Sequence, residues 1–103
     1  MVKLEIYTPY EYVEKLRDAL NELGACKVGE YDHVISYHTS NGYWRPLENS
    51  KPYQGEKGMI CAGQEVKMEV RCPIHLVKHA IETIQTLHPY EEPLINVVPL
   101  LDL

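Results

Sequence analysis

The sequence has no phenylalanine, a single tryptophan and no apolar run approaching the ~18 residues of a membrane-spanning helix. No membrane partner is expected. Its three cysteines, Cys26, Cys61 and Cys72, are odd in number and never stand in C-x-x-C spacing. Neither a disulfide framework nor a zinc knuckle follows from them, and free thiols suit a reducing compartment. The N-terminus lacks a basic segment followed by an apolar stretch, so a cytoplasmic location is expected. Basic residues are outnumbered, with 10 Lys and Arg against 15 Asp and Glu and a net charge of −5. That balance disfavours nucleic acid, whose phosphates are neutralised chiefly by Lys and Arg. Gly55, Gly58 and Gly63 are too scattered to cradle phosphates in P-loop or dinucleotide spacing. A nucleophile elbow, an H-E-x-x-H helix and a cysteine with a recognisable histidine partner are all missing, so no catalytic residue is assigned.

What is present is a repeat. Val2-Lys3-Leu4-Glu5-Ile6-Tyr7-Thr8-Pro9 returns 64 residues later as Val66-Lys67-Met68-Glu69-Val70-Arg71-Cys72-Pro73. Strict alternation in both copies predicts a strand, with Val2, Leu4 and Ile6 facing one way and Lys3, Glu5 and Tyr7 the other. A helix is expected after each. Pro9 suits a first helical position, and Thr8 with Glu11 has the spacing of a capping box. Val13, Leu16, Leu20 and Leu23 then recur at helical spacing before Gly24, a residue suited to a left-handed C-terminal position. Val77, Ala80, Ile81, Ile84 and Leu87 form the matching stripe, which Pro89 ends.

Residues 25 to 38 read as an extended segment with Gly29 a candidate bulge, and residues 39 to 63 as a long excursion rich in Gly, Asn, Ser and Pro. Asn41-Gly42 has the chemistry of a hairpin tip, which would place Tyr43 and Trp44 beside it. Leu94 to Leu101 reads as a last, edge strand, given Pro93 and Pro99. The order β-α-β-β-α-β over residues 1–103 predicts one α+β domain, the ferredoxin-like sandwich. Strands one and three are expected to pair centrally in parallel, with both helices on one sheet face. The other face would carry Lys3, Glu5, Lys67 and Glu69 as cross-strand ion pairs, either in water or in a polar contact between subunits.

The densest set of functional side chains is His88-Pro89-Tyr90-Glu91-Glu92-Pro93. His88 either supplies a ligand or caps the second helix, and imidazole beside carboxylate suits zinc or another divalent ion. His75 and His79 are four apart on the second helix, either a chelating pair or two surface histidines. His33 and His38 would lie on opposite faces of a regular strand unless a bulge intervenes. Tyr43-Trp44-Arg45-Pro46 sets two aromatics and a guanidinium in the excursion, for subunit packing or a small-ligand pocket. The candidate ligand-binding residues are therefore His88, Tyr90, Glu91, Trp44 and Arg45. The pool for a divalent metal is His33, His38, His88 and Glu91.

HPYEE, together with Gly24-Ala25, Gly29-x-Tyr31 and the stretch Tyr43 to Pro46, resembles the inserted domain of the Nif-three-like proteins, along essentially the whole sequence. In full-length members that insert lies between two halves carrying a dinuclear metal centre. The expectation here is a freestanding domain without that centre, and hence not an enzyme. The insert is similar to PII-like and CutA-like proteins, which implies a homotrimer and sensing of a small molecule or metal between subunits, or an adaptor role. A glycine-rich hairpin of the family pattern is replaced by His38-Thr39-Ser40-Asn41-Gly42, so a ligand read there would differ. The competing expectation is a metal-dependent hydrolase acting on a nucleotide or cyclic phosphate. A third is an interaction module for a partner protein that carries the missing dimetal domain.

Overall fold

The alternation at the start of the chain becomes β1 (Val2–Thr8), in which Val2, Leu4, Ile6 and Thr8 are buried and Lys3, Glu5 and Tyr7 half-buried. The computed structural model describes residues 1–101. Pro9 stays extended at φ −59°, ψ 145° and leads through a 3-10 turn, Tyr10–Tyr12, into α1 (Val13–Leu23). The second half repeats this in detail: Pro73 at φ −59°, ψ 138°, a 3-10 turn over Ile74–Leu76, then α2 (Val77–Leu87). The capping box does not form. The Thr8 hydroxyl, fully buried at the end of its strand, donates instead to the Pro9 carbonyl at 3.1 Å.

The two helices end differently. Gly24 takes φ +109° and returns its N–H to the Leu20 and Asn21 carbonyls, as a left-handed helix terminus requires. His88, its counterpart 64 residues on, is extended at φ −73°, ψ 138°, the conformation that the following proline favours.

Residues 25–35 do not form the extended segment expected of them. Cys26 and His33 have positive φ, and Gly29 at φ +58° lies in a tight turn closed by paired bonds between Val28 and Tyr31. Pairing therefore starts only with β2 (Ser36–Trp44), followed by β3 (Cys61–Cys72) and β4 (Ile95–Pro99). Asn41-Gly42 is not a hairpin tip. Both residues lie within β2, opposite Gln64 and Gly63, and the Trp44 ring packs where a side chain on Gly63 would stand. The ribbon thus runs past the expected turn, and the excursion shrinks to residues 45–60.

The sheet order is β2-β3-β1-β4, with every adjacent pair antiparallel. The parallel pairing expected of β1 and β3 is thereby corrected. The α1 crossover sets β1 and β2 running the same way, and the connection to β3 then reverses the chain. Leu4, Ile6, Leu16, Leu20, Met68, Val70, Ala80 and Ile84 fill the space between helices and sheet; each large side chain among them contributes about 1.5–3 kcal/mol of burial. Among the described residues no helix is long and apolar enough to cross a membrane.

The helix-free face carries the foreseen ion pairs. Lys3 Nζ reaches Glu69 at 2.6 Å and Glu5 at 3.3 Å, and Lys67 Nζ reaches Glu5 at 3.3 Å. At the far end β1 stops at Thr8, opposite Val66, while β3 continues to Cys61 alongside β2. This overhanging ribbon, with no buried residue anywhere in β2, makes the molecule elongated, 47 × 25 × 23 Å.

Candidate functional site

Where β1 stops, the ribbon leaves its flank open, and two connections fill the gap. One is the α2–β4 turn. The His88 ring is buried beneath it, with Nε2 2.6 Å from the Tyr7 carbonyl and Nδ1 3.1 Å from the Tyr90 amide. An amide nitrogen can only donate, so Nδ1 is the acceptor and Nε2 carries the proton. Burial pushes the imidazole pKa below its ordinary value, against the opposing pull of the Tyr7 carbonyl. His88 thereby sets the turn and places Tyr90, whose ring packs 4.6 Å from its own. The Tyr90 hydroxyl donates to Glu65 Oε2 at 2.9 Å. Burial, and secondly the Glu65 carboxylate, hold this phenol well above its usual range.

The other connection is the 45–60 loop, which is pinned at several points. The Trp44 indole N–H donates to the Gln54 carbonyl at 3.1 Å, and Gly58 N–H to the Pro46 carbonyl at 2.8 Å. Gly55, at φ +99°, lies so close to Cys61 and Trp44 that a Cβ would come within 2.7 Å of the Cys61 sulfur. The loop also reaches the other turn: Lys51 N–H donates to Glu91 at 2.7 Å, and the Tyr53 and Tyr90 rings are 5.7 Å apart.

Between loop, turn and ribbon lies an open cleft of about 830 Å³, within the range of small-molecule sites. Trp44, Arg45, Tyr90 and Glu91, four of the five residues expected to bind ligand, line it. The fifth, His88, acts from beneath by positioning Tyr90. Glu65, Tyr53, Glu48 and Glu92 join the lining. Of these, sequence reading missed Glu65, Tyr53 and Glu48. Glu65 directly precedes the second copy of the repeat and pairs with a tyrosine 25 residues away, a contact with no local signal. Gly42, Trp44, Gly63 and Glu65 share the helix-free face with Lys67 and Glu69, whereas Tyr43 and Gln64, also in the lining, have the opposite parity, so the cleft wraps the open flank of the ribbon.

The expected metal pool is not brought together. His33 sits at φ +57° in the loop after α1, 3.0 Å from Asp32 and 3.8 Å from Asp18. His38 is exposed on β2 opposite Lys67. His88 has both ring nitrogens engaged, and Glu91 holds the Lys51 amide. Among the described residues no three His, Cys, Asp or Glu side chains converge on one point. His75 lies in the 3-10 turn and His79 in α2, so the helical pair expected of them is interrupted. The three thiols are free, and burial raises that of Cys26 to about 11.

No family model matches the chain. It is 37% identical over 97 residues to the Bacillus subtilis protein named GTP cyclohydrolase 1 type 2 homolog, a match covering 94% of this chain and 26% of that protein. The chain thus spans about a quarter of the length of the curated relatives it matches. A solved Bacillus cereus protein related to NIF3 superposes with a TM-score of 0.82 at 30% identity, over 96% of this chain and 25% of that one. CutA from Pyrococcus horikoshii superposes with a TM-score of 0.74 over 100% of this chain and 87% of its own, at 21% identity. That last likeness is one of fold.

Proposed function

We propose that this chain, similar along nearly its whole length to one segment of the Nif-three-like proteins and folded like CutA, is a non-catalytic homotrimeric domain of the cytoplasm that senses a small ligand or acts as an adaptor. The observation that carries this reading is the cleft beside HPYEE, at the open flank of the ribbon and beside the sheet face that no helix covers. A sheet ordinarily buries both faces or wets one. Here the uncovered face combines an ion-pair network with a ribbon that projects beyond the body, and a second copy laid on it would bury both. The trimer is the assembly implied by the PII-like and CutA-like resemblance. In such an assembly the cleft lies beside the contact, so that filling it alters how the copies meet.

The names of the longer relatives speak of a cyclohydrolase, and they belong to proteins of which this chain matches about a quarter. A metal-dependent hydrolase needs a metal held by converging ligands. The strongest candidate ligand, His88, has spent both ring nitrogens on the fold. This favours a binding role and an organic ligand over a resident metal.

Sedimentation equilibrium of the purified chain tests the assembly. A species of three times the 11.9 kDa chain mass is expected at micromolar concentration. A monomer persisting at millimolar concentration would sink the reading.

A further inference from the structure

We infer that the cleft takes an organic cation, a ligand bearing an alkylated ammonium group. The inference rests on the small-ligand reading of this cleft and adds the chemical class. The cavity, with its aromatic walls, is the primary observation. Tyr53 and Tyr90 form one wall, their rings 5.7 Å apart and tilted by 51°. Trp44 forms part of another, its six-membered ring held over Gly63 and its N–H held by Gln54, with 37% of the residue still exposed. Three aromatic rings gathered around one cavity supply electron-rich surface, which is what an alkylated ammonium group seeks.

Charge points the same way. The lining carries Glu48, Glu65, Glu91 and Glu92 against Arg45 alone. A phosphorylated ligand would meet four carboxylates and a single guanidinium, in a chain whose net charge is already −5. Two of the carboxylates have donors within the protein, Glu65 from Tyr90 and Glu91 from the Lys51 amide. Glu48 and Glu92 are exposed and complete the environment of a cation seated among the rings. The volume is far larger than a bare metal ion needs, and the carboxylates do not converge as a metal requires.

Trp44 is the only tryptophan, so its fluorescence reports on the cleft directly. Choline is the probe, and 3,3-dimethylbutanol, which replaces nitrogen by carbon in the same shape, is the neutral control. Saturable quenching by choline is expected, with the control at least about tenfold weaker. The exposed-site variant Glu92→Gln is expected to weaken choline severalfold while leaving the melting midpoint unchanged. Equal binding of the two probes, no binding of either, or saturation by ATP and not by choline would each overturn the inference. Sedimentation of the same samples separates the two readings: a trimer indifferent to choline rejects the cation alone, whereas a monomer rejects the assembly.

Discussion

Glu5 and Glu69 stand directly opposite one another at the centre of the β1–β3 ladder, and each is the other's counterpart in the 64-residue repeat. The approximate two-fold axis relating the halves therefore passes between two like charges. Opposed carboxylates are unfavourable on a sheet. The repeat also supplies the remedy, because Lys3 and Lys67 are counterparts as well and flank the pair diagonally.

Lys3 is the key member, since it touches both carboxylates. Lys3→Met is expected to lower the melting midpoint at pH 7, and Glu5→Gln in the same chain to recover part of the loss. The Asn96 amide and then Lys3 hold Glu5 below the ordinary carboxylate range, and Lys3 does so for Glu69. A depressed folded pKa stabilises above the unfolded value of 4.5 and ceases to as pH falls through the folded value. The difference between wild type and Lys3→Met should therefore be full at pH 7 and shrink as pH falls below 4.5 and through the lowered folded values. Thermal melts of both proteins across that range check this.

His88 gives a second pH dependence in a separate window. Its ring is neutral in the fold, with Nδ1 accepting the Tyr90 amide proton, so a second ring proton would remove that bond. With the folded pKa below the unfolded 6.5, the unfolded chain takes up protons first. Stability is then independent of this group above pH 6.5 and declines as pH falls below it. His88→Ala should destabilise by about 1–3 kcal/mol, leaving the Tyr7 carbonyl and the Tyr90 amide unsatisfied. It should also flatten the slope below pH 6.5. Urea titrations across that range measure both effects.

The repeat made most of the scaffold legible, because alternation and helical stripes are enforced by burial: Leu4 and Leu16 are wholly buried, as are Met68 and Ile84. It also located where the two halves diverge, at the position held by Gly24 in one half and His88 in the other. The parallel pairing expected of β1 and β3 conflicts with the element order itself, since a helical crossover followed by a direct strand-to-strand connection leaves β3 antiparallel to β1. Asn41-Gly42 was misread for another reason. Turn chemistry is a local preference, and here it yields to cross-strand pairing and to an indole resting on a glycine across the ladder. Four cleft residues could be named from the chain because they cluster in two short motifs. Glu65 and Tyr53 could not, as only the folded loop brings them to Tyr90.

Tyr90 ties the α2–β4 turn to β3 through a single hydroxyl. Tyr90→Phe keeps the ring against His88 and Tyr53 and removes only the bond to Glu65. The expected cost is about 1.5–3 kcal/mol, typical of a hydrogen bond to a charged group. A carboxylate released into the cleft should leave the assembly mass unchanged and quench Trp44 fluorescence differently. A loss beyond that range in urea unfolding would mean that the turn itself depends on this bond.

Gly42 and Gly63 are partners across the ribbon, yet only one of them can accept a side chain freely. A Cβ on Gly42 meets nothing within 4 Å, whereas one on Gly63 would stand 3.1 and 3.2 Å from Trp44 Cη2 and Cζ3. The indole has little freedom to yield. Its N–H is tied to Gln54, and the backbone of Gly55 closes on the same edge, where a Cβ would lie 3.1 Å from the indole nitrogen. Gly63→Ala therefore requires the ring to give by a few tenths of an ångström, on the side of the cleft. A cost of about 1–3 kcal/mol follows from overpacking of this kind, together with a shifted Trp44 emission maximum and weaker choline quenching. Gly42→Ala should leave emission and binding unchanged. If the two variants behave alike, the Trp44 ring does not rest on Gly63 in solution, and the aromatic wall of the cleft goes with it.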